Sequence, residues 1–300
     1  MSTIALMGAL EIGLIFALVA LGVLISFRIL NFPDLTADGS FPLGGAVTAT
    51  LIAGGHDPWL ATLAGSAAGA VAGLTTAWLN VRLNILQLLA SILVMIALYS
   101  INLRIMGAPN VPLIGADTVF SPIINLAPEQ QYLLQPLVLA AIVLIAKFAL
   151  DAFFASNTGL AMRATGANPR MARAQGIPTD RLTLAGMALS NALVALAGAL
   201  YVQTQGGADI SMGIGTIVIG LAAVIIGETL LSGRGMMIAT LAAVLGALIY
   251  RLFIALALNA DFIGLQAQDL NLITALLVGF ALVLPNLKRK LALARANGGR

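Results

Sequence analysis

The sequence is divided into a series of apolar stretches, most of which are long enough to cross a lipid bilayer as a helix. A transmembrane helix needs about 17–25 mainly apolar residues, and only the stretch at about 40–55, bounded by Pro42 and Gly54-Gly55, falls short. We therefore predict an all-α membrane protein with about nine transmembrane helices. The predicted spans are 6–26, 40–55, 58–79, 85–103, 132–150, 181–203, 213–231, 236–258 and 265–284.

The composition agrees with a protein whose surface mostly faces lipid. Of the 300 residues, 60% are hydrophobic and 9% are charged, whereas about a quarter of the residues in a soluble domain are charged. The chain has no cysteine and one histidine, so a metal site has little support. Basic residues occur at helix ends without interleaved aromatics, which argues against binding of nucleic acid. No Lys or Arg precedes the first apolar stretch, which is predicted to be a retained helix instead of a signal peptide.

The distribution of basic residues predicts the orientation of the chain in the membrane. Cytoplasmic loops carry an excess of Lys and Arg, so we place the basic tail 288–290 inside and count back through nine spans. The loops around His56, Asp209 and Asp261, which lack Lys and Arg, then fall outside, so the N-terminus is outside and the C-terminus inside. An eight-helix arrangement would put several arginines on the wrong side. The basic residues placed inside are Arg28, Arg82, Arg163, Arg170, Arg173, Arg181 and Arg234.

Two parts of the sequence are similar to each other at a shift of 175 residues. The sequence Ala-Leu-Val-Ala-Leu occurs at 17–21 and again at 192–196, and the same shift carries Asp34-Leu-Thr onto Asp209-Ile-Ser. Apolar strings match by chance in membrane proteins, but the match that contains Asp does not depend on hydrophobicity. We predict a single transmembrane domain, 1–300, with repeat halves at about 1–103 and 176–284. The first helices of the two halves run in opposite directions, as in the inverted repeats of many transporters.

Each predicted repeat carries a cluster of Asp, Gly and hydroxyl residues beside a helix, at 34–40 and at 208–215. Irregular backbone near a bilayer is tolerated only where protein or water surrounds it, so both clusters are candidates for lining a translocation path. Ordinary surface turns are the alternative, and the sequence leaves it open. The candidate path residues are Asp34, Thr36, Asp38, Ser40, Gln205, Asp209 and Ser211.

The segment 159–177, between two predicted spans on the cytoplasmic side, indicates a docking surface. Asn168 and Pro169 are typical of a helix N-cap and first helical position, and Gly176 is typical of a helix end. A short capped helix of small, basic and apolar residues suits insertion into a groove on a soluble partner. A basic loop that binds anionic headgroups is the alternative, but caps at both ends favour a defined helix.

Three motifs carry a resemblance to a known family: 28–45, 159–177, and 205–215 continuing to 220–228. The chain resembles permease subunits of ATP-binding-cassette importers of the ribose and branched-chain amino acid class. Within that class it is most similar to a branch described as aromatic amino acid or uncharacterised uptake permeases. The resemblance implies a multi-pass protein of the bacterial inner membrane. It also implies a cytoplasmic ATP-binding subunit, an extracytoplasmic solute-binding protein, and a second permease subunit that we expect to form a homodimer.

The resemblance further implies that the loop 159–178 contains the helix that couples the permease to the ATP-binding subunit. The solute implied is a small organic molecule, with an amino acid favoured. The candidate coupling residues are Gly159, Arg163, Gly166, Asn168, Pro169, Arg170, Arg173 and Gly176.

The motifs that the sequence lacks separate the possible functions. No G-x-x-x-x-G-K-[ST] loop is present, so we expect the partner subunit to bind ATP and this chain to need no cofactor. A secondary transporter or channel that is not driven by ATP is the alternative, but ion coupling usually needs buried carboxylates near the middle of the bilayer, and the sequence offers few. An enzyme would need a base beside a nucleophile or metal, and no such cluster is present, so we do not expect an enzyme.

Overall fold

The computed structural model describes residues 3–124, 130–231, 233, 235–258 and 279. The predicted span 265–284, the basic tail, and the residues Arg234 and Asp261 lie outside the described residues. The helices are α1 (Thr3–Val23, continued as a π-helix over Leu24–Ile29), α2 (Ala37–Ala53), α3 (Pro58–Leu83), α4 (Gln87–Met106), α5 (Ser121–Ile124), α6 (Gln131–Ala155), α7 (Asn157–Ala167), α8 (Pro169–Ala174), α9 (Thr179–Gln205), α10 (Thr216–Leu230) and α11 (Met236–Leu258).

The prediction of an all-α membrane protein is confirmed. In the part of the chain that the structure describes, six helices are long and apolar enough to cross a membrane, namely α1, α3, α4, α6, α9 and α11. The helices α2 and α10 are shorter, at 17 and 15 residues. The sequence analysis missed a small antiparallel sheet in which β1 (Asn110–Pro112) pairs with β2 (Gly207–Asp209).

Two central helices, α1 and α9, organise the packing. Every residue of α1 from Leu14 to Val23 is buried, which explains why this helix is apolar all round instead of amphipathic. The helix α9 packs against α2 and α3, whereas α1 packs against α10 and α11, and the two central helices contact each other. The first two helices that follow α1 in sequence, α2 and α3, therefore pack on α9, and the two that follow α9, α10 and α11, pack on α1.

Glycines allow the helices around α9 to approach closely. A Cβ added at Gly73 of α3 would overlap the carbonyl oxygen of Met187 and lie 2.7 Å from Nδ2 of Asn191. A Cβ at Gly198 of α9 would overlap the carbonyl oxygen of Phe41. Small residues at such positions are the usual means of bringing membrane helices together, because lipid provides no hydrophobic drive for their association.

Candidate translocation site and coupling segment

The two polar clusters form the same local turn at equivalent positions. Asn31 and Gly206, which are 175 residues apart, both have a positive φ, of +52° and +75° respectively. Three residues later, Oδ1 of Asp34 accepts a hydrogen bond from the Thr36 amide at 2.9 Å, and Oδ1 of Asp209 accepts one from the Ser211 amide at 2.8 Å. These are Asx turns, which the Asp side chain stabilises by mimicking a backbone turn. The similarity between the two sequences thus extends to backbone conformation.

The first turn lies in the protein interior. Oδ2 of Asp34 accepts a hydrogen bond from Nδ2 of Asn191 at 2.7 Å, and Oδ1 of Asn191 accepts one from Oγ of Ser40 at 2.7 Å. The hydroxyls of Thr36 and Thr76 are 2.7 Å apart, and all five residues are at most 1% exposed. For Asp34, Thr36 and Ser40, the alternative interpretation as a surface turn is therefore wrong. Their hydrogen-bond network fixes the start of α2 against α3 and the middle of α9.

The second turn lies at the protein surface. Asp209 is in β2, paired with Asn110, and is half-buried, whereas Ser211 and Gln205 are exposed. Asp209, Ser211 and Gln205 therefore lie in or beside a surface turn, which is the alternative that the sequence left open. The sheet that β2 forms with β1 accounts for the difference between the repeats, because it holds this turn beside the end of α9 instead of inside the bundle.

Asp38 connects the two short helices. Its carboxylate accepts a hydrogen bond from the amide of Ile217 at 2.7 Å and one from the amide of Gly215 at 3.3 Å. It thereby caps the N-terminus of α10 from the first turn of α2, and an anionic cap at a helix N-terminus is favourable. Asp38 is also the candidate path residue that lines a cavity of about 470 Å³ beside α4.

The predicted caps around α8 are confirmed. Oδ1 of Asn168 accepts a hydrogen bond from the Met171 amide at 3.0 Å, Pro169 is the first helical residue, and Gly176 has φ +79°. The helix α7, which precedes it, is also capped, because Oγ of Ser156 accepts from the Gly159 amide. Residues 157–176 therefore form two consecutive defined helices, which we call the α7–α8 segment.

One face of the α7–α8 segment is anchored to the membrane helices. Gly159, Met162 and Thr165 are buried, and a Cβ at Gly159 would overlap the carbonyl oxygen of Phe153. At Gly166 an added Cβ would overlap the carbonyl oxygen of Ile29, at the end of the π-helix that continues α1. These two glycines are positions of close packing and not surface contacts.

The opposite face of the α7–α8 segment is open. Leu160 is 50% exposed and Met171 is 63% exposed, and Arg163, Pro169 and Arg170 are exposed beside them. Arg173 is also exposed, but its guanidinium donates to Oγ1 of Thr179 at 3.0 Å and to Oδ1 of Asp180 at 3.1 Å. Arg173 therefore ties the end of α8 to the start of α9.

A salt bridge joins the ends of two helices beside this segment. Nε of Arg28 lies 2.6 Å from Oε1 of Glu228, and both side chains are partly solvated. Together with Arg163 and Gly166 they line a cavity of about 590 Å³. Residues of α7 therefore adjoin the ends of both α1 and α10.

The sequence analysis missed a buried ion pair in α6. Nζ of Lys147 lies 2.5 Å from Oδ2 of Asp151, one helical turn away, and both side chains are less than 10% exposed. Oγ1 of Thr240 in α11 donates to Oδ1 of Asp151 at 2.6 Å. The i, i+4 spacing of opposite charges inside an apolar stretch is the signal that could have revealed the pair. Within the described ranges, no group of three or more His, Asp or Glu residues could hold a metal ion.

Comparison with known proteins places this arrangement in a family. The family model for the permease component of branched-chain amino acid transport systems matches residues 5–284. The chain is 40% identical over 266 residues to the tyrosine transport system permease protein of Clostridioides difficile (strain R20291), covering 88% of this chain and 86% of that protein. It is 34% identical over 285 residues to an uncharacterized protein of Rickettsia prowazekii (strain Madrid E), covering 92% and 96% respectively. No solved structure matches the chain significantly. A match over almost the whole chain shows that this multi-pass protein of the bacterial inner membrane belongs to the family of permease components of branched-chain amino acid transport systems.

Proposed function

We propose that this permease conducts an amino acid, preferentially an aromatic one, driven by a cytoplasmic ATP-binding subunit that binds the α7–α8 segment. The observation that carries the proposal is the construction of that segment, which has one face packed on α6, α9 and the π-helix that continues α1, and the other face exposed. The choice of an aromatic solute is supported by the relative from Clostridioides difficile, which is named for tyrosine transport.

The coupling role follows from the rigidity of the α7–α8 segment. Both helices are capped, and Met162 is fully buried where α7 meets the membrane helices. A partner that pulls on Met171 or Arg170 would therefore displace the end of α1 instead of bending a loose loop. The exposed surface combines apolar Leu160 and Met171 with arginines, and a helix with such a surface suits an apolar groove with an acidic rim.

We further propose nine membrane crossings, with the N-terminus outside, the C-terminus inside, and two inverted repeats. The described helices α1–α4, α6 and α9–α11 coincide with eight of the predicted spans. The exchanged packing, in which α1 contacts α10 and α11 while α9 contacts α2 and α3, is what a pseudo-two-fold axis between the repeats would produce. The equivalent turns at Asp34 and Asp209 support the same relation. Each repeat then contains one short helix, α2 or α10, that begins inside the protein, as in many transporters.

The complete importer that we propose contains two copies of this chain, two ATP-binding subunits and an extracytoplasmic solute-binding protein. In the proposed orientation, the outer surface near the sheet carries Asp57, Asp117 and Asp209, which are not involved in any ion pair among the described residues. This acidic surface would suit a binding protein with basic residues around its solute site.

The experiment is transport by the permease reconstituted in liposomes with its ATP-binding subunit and binding protein. We expect uptake of a radiolabelled aromatic amino acid that requires all three components and ATP. In the variant Arg170→Glu, uptake should fall at least tenfold because the charge on the exposed face of α8 is reversed. The matched control is Arg82→Glu, which makes the same change at an exposed position in the last turn of α3 and should leave uptake near normal.

Two results would contradict the proposal. Uptake by the chain alone, driven by a proton or sodium gradient without ATP, would indicate a secondary transporter. Equal loss of uptake in Arg170→Glu and Arg82→Glu would mean that the α7–α8 segment has no special role.

A further inference from the structure

The cavity beside Asp38 has the size and position of a solute site. Its volume is about 470 Å³, which lies within the range of about 300–1,000 Å³ usual for small-molecule pockets. It lies where the first turn of α2, the middle of α4 and the segment before α10 meet. The residues that line it include Asp38, Pro42, Met95, Ile96, Tyr99 and Ile214.

The polar groups at this cavity are mainly hydrogen-bond acceptors. The Asp38 carboxylate is held by two backbone amides, and no ion pair among the described residues involves it. Because Pro42 has no N–H, the Asp38 carbonyl lacks its α-helical donor. Asn102, at 1% exposure, donates to the Gly39 carbonyl, while its Oδ1 has no partner among the residues that the structure describes. Such a group of acceptors favours a ligand that brings several donors and a positive charge, as an ammonium group does.

The rest of the lining is apolar. Met95, Ile96, Ile210 and Ile214 form its walls together with the ring of Tyr99, and the hydroxyls of Tyr99 and Ser100 are available there as donors. None of the described residues that line it is Lys or Arg. A solute with a net negative charge would therefore meet the Asp38 carboxylate without a compensating cation, and a sugar would face apolar walls that cannot bond its hydroxyls. A zwitterionic amino acid brings its own cation, and its carboxylate can accept from the hydroxyls of Tyr99 and Ser100.

We infer that this cavity binds the solute during translocation, with the ammonium group of an apolar or aromatic amino acid at Asp38 and its side chain against Met95, Ile96 and Ile214. This inference rests on the proposed function and names the site through which that function would operate. It also gives Asp38 two roles, since the carboxylate that holds the N-terminus of α10 is the group that meets the solute. Binding of the solute at Asp38 would thereby act on the N-terminus of α10, the helix whose other end carries Glu228 of the Arg28–Glu228 salt bridge.

The absence of cysteine from the natural sequence allows a direct test on the purified permease without its partners. In Ile96→Cys, at a cavity position that is 61% exposed, the rate of reaction with a small maleimide is measured with increasing phenylalanine or tyrosine. At about ten times the Kd, the reaction should slow by about tenfold. N-acetylphenylalanine, which lacks the ammonium group, should not protect. Leu60→Cys, at an exposed position of α3 outside the cavity, should react at the same rate throughout.

The variant Asp38→Asn tests the charge separately from the structure. An asparagine retains a carbonyl oxygen for the Ile217 amide and loses only the longer bond from the Gly215 amide, so α10 keeps the shorter of its two cap bonds. Adding Asp38→Asn to Ile96→Cys should weaken protection by phenylalanine by about tenfold, since the pair of opposite charges is replaced by a hydrogen bond from the ammonium to a neutral amide oxygen. The unliganded reaction rate should be unchanged.

The different failures are distinguishable. If the reconstituted importer takes up an aromatic amino acid but the thiol of Ile96→Cys is never protected, the cavity assignment is overturned and the proposed function stands. Equal protection by phenylalanine and N-acetylphenylalanine would indicate an apolar groove for lipid and would also overturn it. A thiol at this position that fails to react even without solute would do the same, because the surface would then be covered by protein. If no amino acid is taken up with ATP and all partners present, the proposed function itself fails.

Discussion

Replacing Gly166 by alanine tests whether force passes from the α7–α8 segment to the membrane helices. The new Cβ would overlap the Ile29 carbonyl oxygen and lie 2.7 Å from the Ile29 carbonyl carbon and 2.9 Å from the Leu30 Cα. Ordinary van der Waals contact begins at about 3.4 Å, so the carbonyl carbon alone requires a separation of at least 0.7 Å (3.4 minus 2.7). All three contacts are with backbone, which cannot rotate away as a side chain can.

The expected effect of Gly166→Ala on stability is modest. Overpacking by one methyl group typically costs about 1–3 kcal/mol, so the permease should still insert and fold. Its effect on coupling should be large, because α7 is displaced from the end of α1 at the only glycine contact between them in the described part of the chain. We expect the number of solute molecules taken up per ATP hydrolysed to fall at least fivefold.

The assay measures uptake and ATP hydrolysis in the same proteoliposomes, with the midpoint of thermal unfolding in detergent as the measure of folding. The control is Gly8→Ala in α1, which makes the same chemical change where an added Cβ meets nothing within 4 Å. Unchanged uptake per ATP in Gly166→Ala would refute the reasoning, since a displaced α7 would then have transmitted the motion equally well.

Two further predictions concern the buried polar contacts, and both are measured as midpoints of thermal unfolding in detergent. Asn191→Leu removes a hydrogen bond to the buried carboxylate of Asp34 and should lower the free energy of unfolding by about 1.5–3 kcal/mol. The control Asn80→Leu removes a neutral hydrogen bond at a partly buried site and should cost less. Equal losses of stability in the two variants would show that the Asp34 network contributes no more than an ordinary hydrogen bond. Lys147→Met leaves Asp151 buried without its partner and should cost about 3–5 kcal/mol. The double variant Lys147→Met, Asp151→Leu should recover most of that loss, and failure to recover would mean that the pair fixes the structure in a way that apolar packing cannot replace.

The features that sequence alone predicted correctly are those encoded by neighbouring residues. The eight apolar stretches within the described part of the chain became helices because length and apolarity suffice to favour a spanning helix. The end signals at Asn168, Pro169 and Gly176 produced the caps of α8 because capping depends on groups within one helical turn. The turns at Asp34 and Asp209 agree for the same reason.

The features that sequence did not reveal depend on packing between distant elements. The partner of Asp34 is Asn191, 157 residues later, and only the approach of α2 to α9 through glycines brings them together. The same sequence pattern gives a buried turn at Asp34 and a surface turn at Asp209, because the short sheet holds the Asp209 turn at the surface. No alternation of apolar and polar residues in the sequence predicted that sheet. The inward-facing role of Gly159 and Gly166 likewise became visible only with their carbonyl contacts.

The most direct measurement of the central claim locates Met171 relative to the membrane and to the ATP-binding subunit. Met171 is the most exposed large apolar residue of the α7–α8 segment. In the cysteine-free chain, Met171→Cys can be probed in intact cells and in inverted membrane vesicles with an impermeant thiol reagent, and then with a short cross-linker in the assembled importer. The account predicts labelling in inverted vesicles alone and a cross-link to the ATP-binding subunit that changes with nucleotide. Labelling from the outside of intact cells, or a cross-link to no ATP-hydrolysing protein, would contradict it.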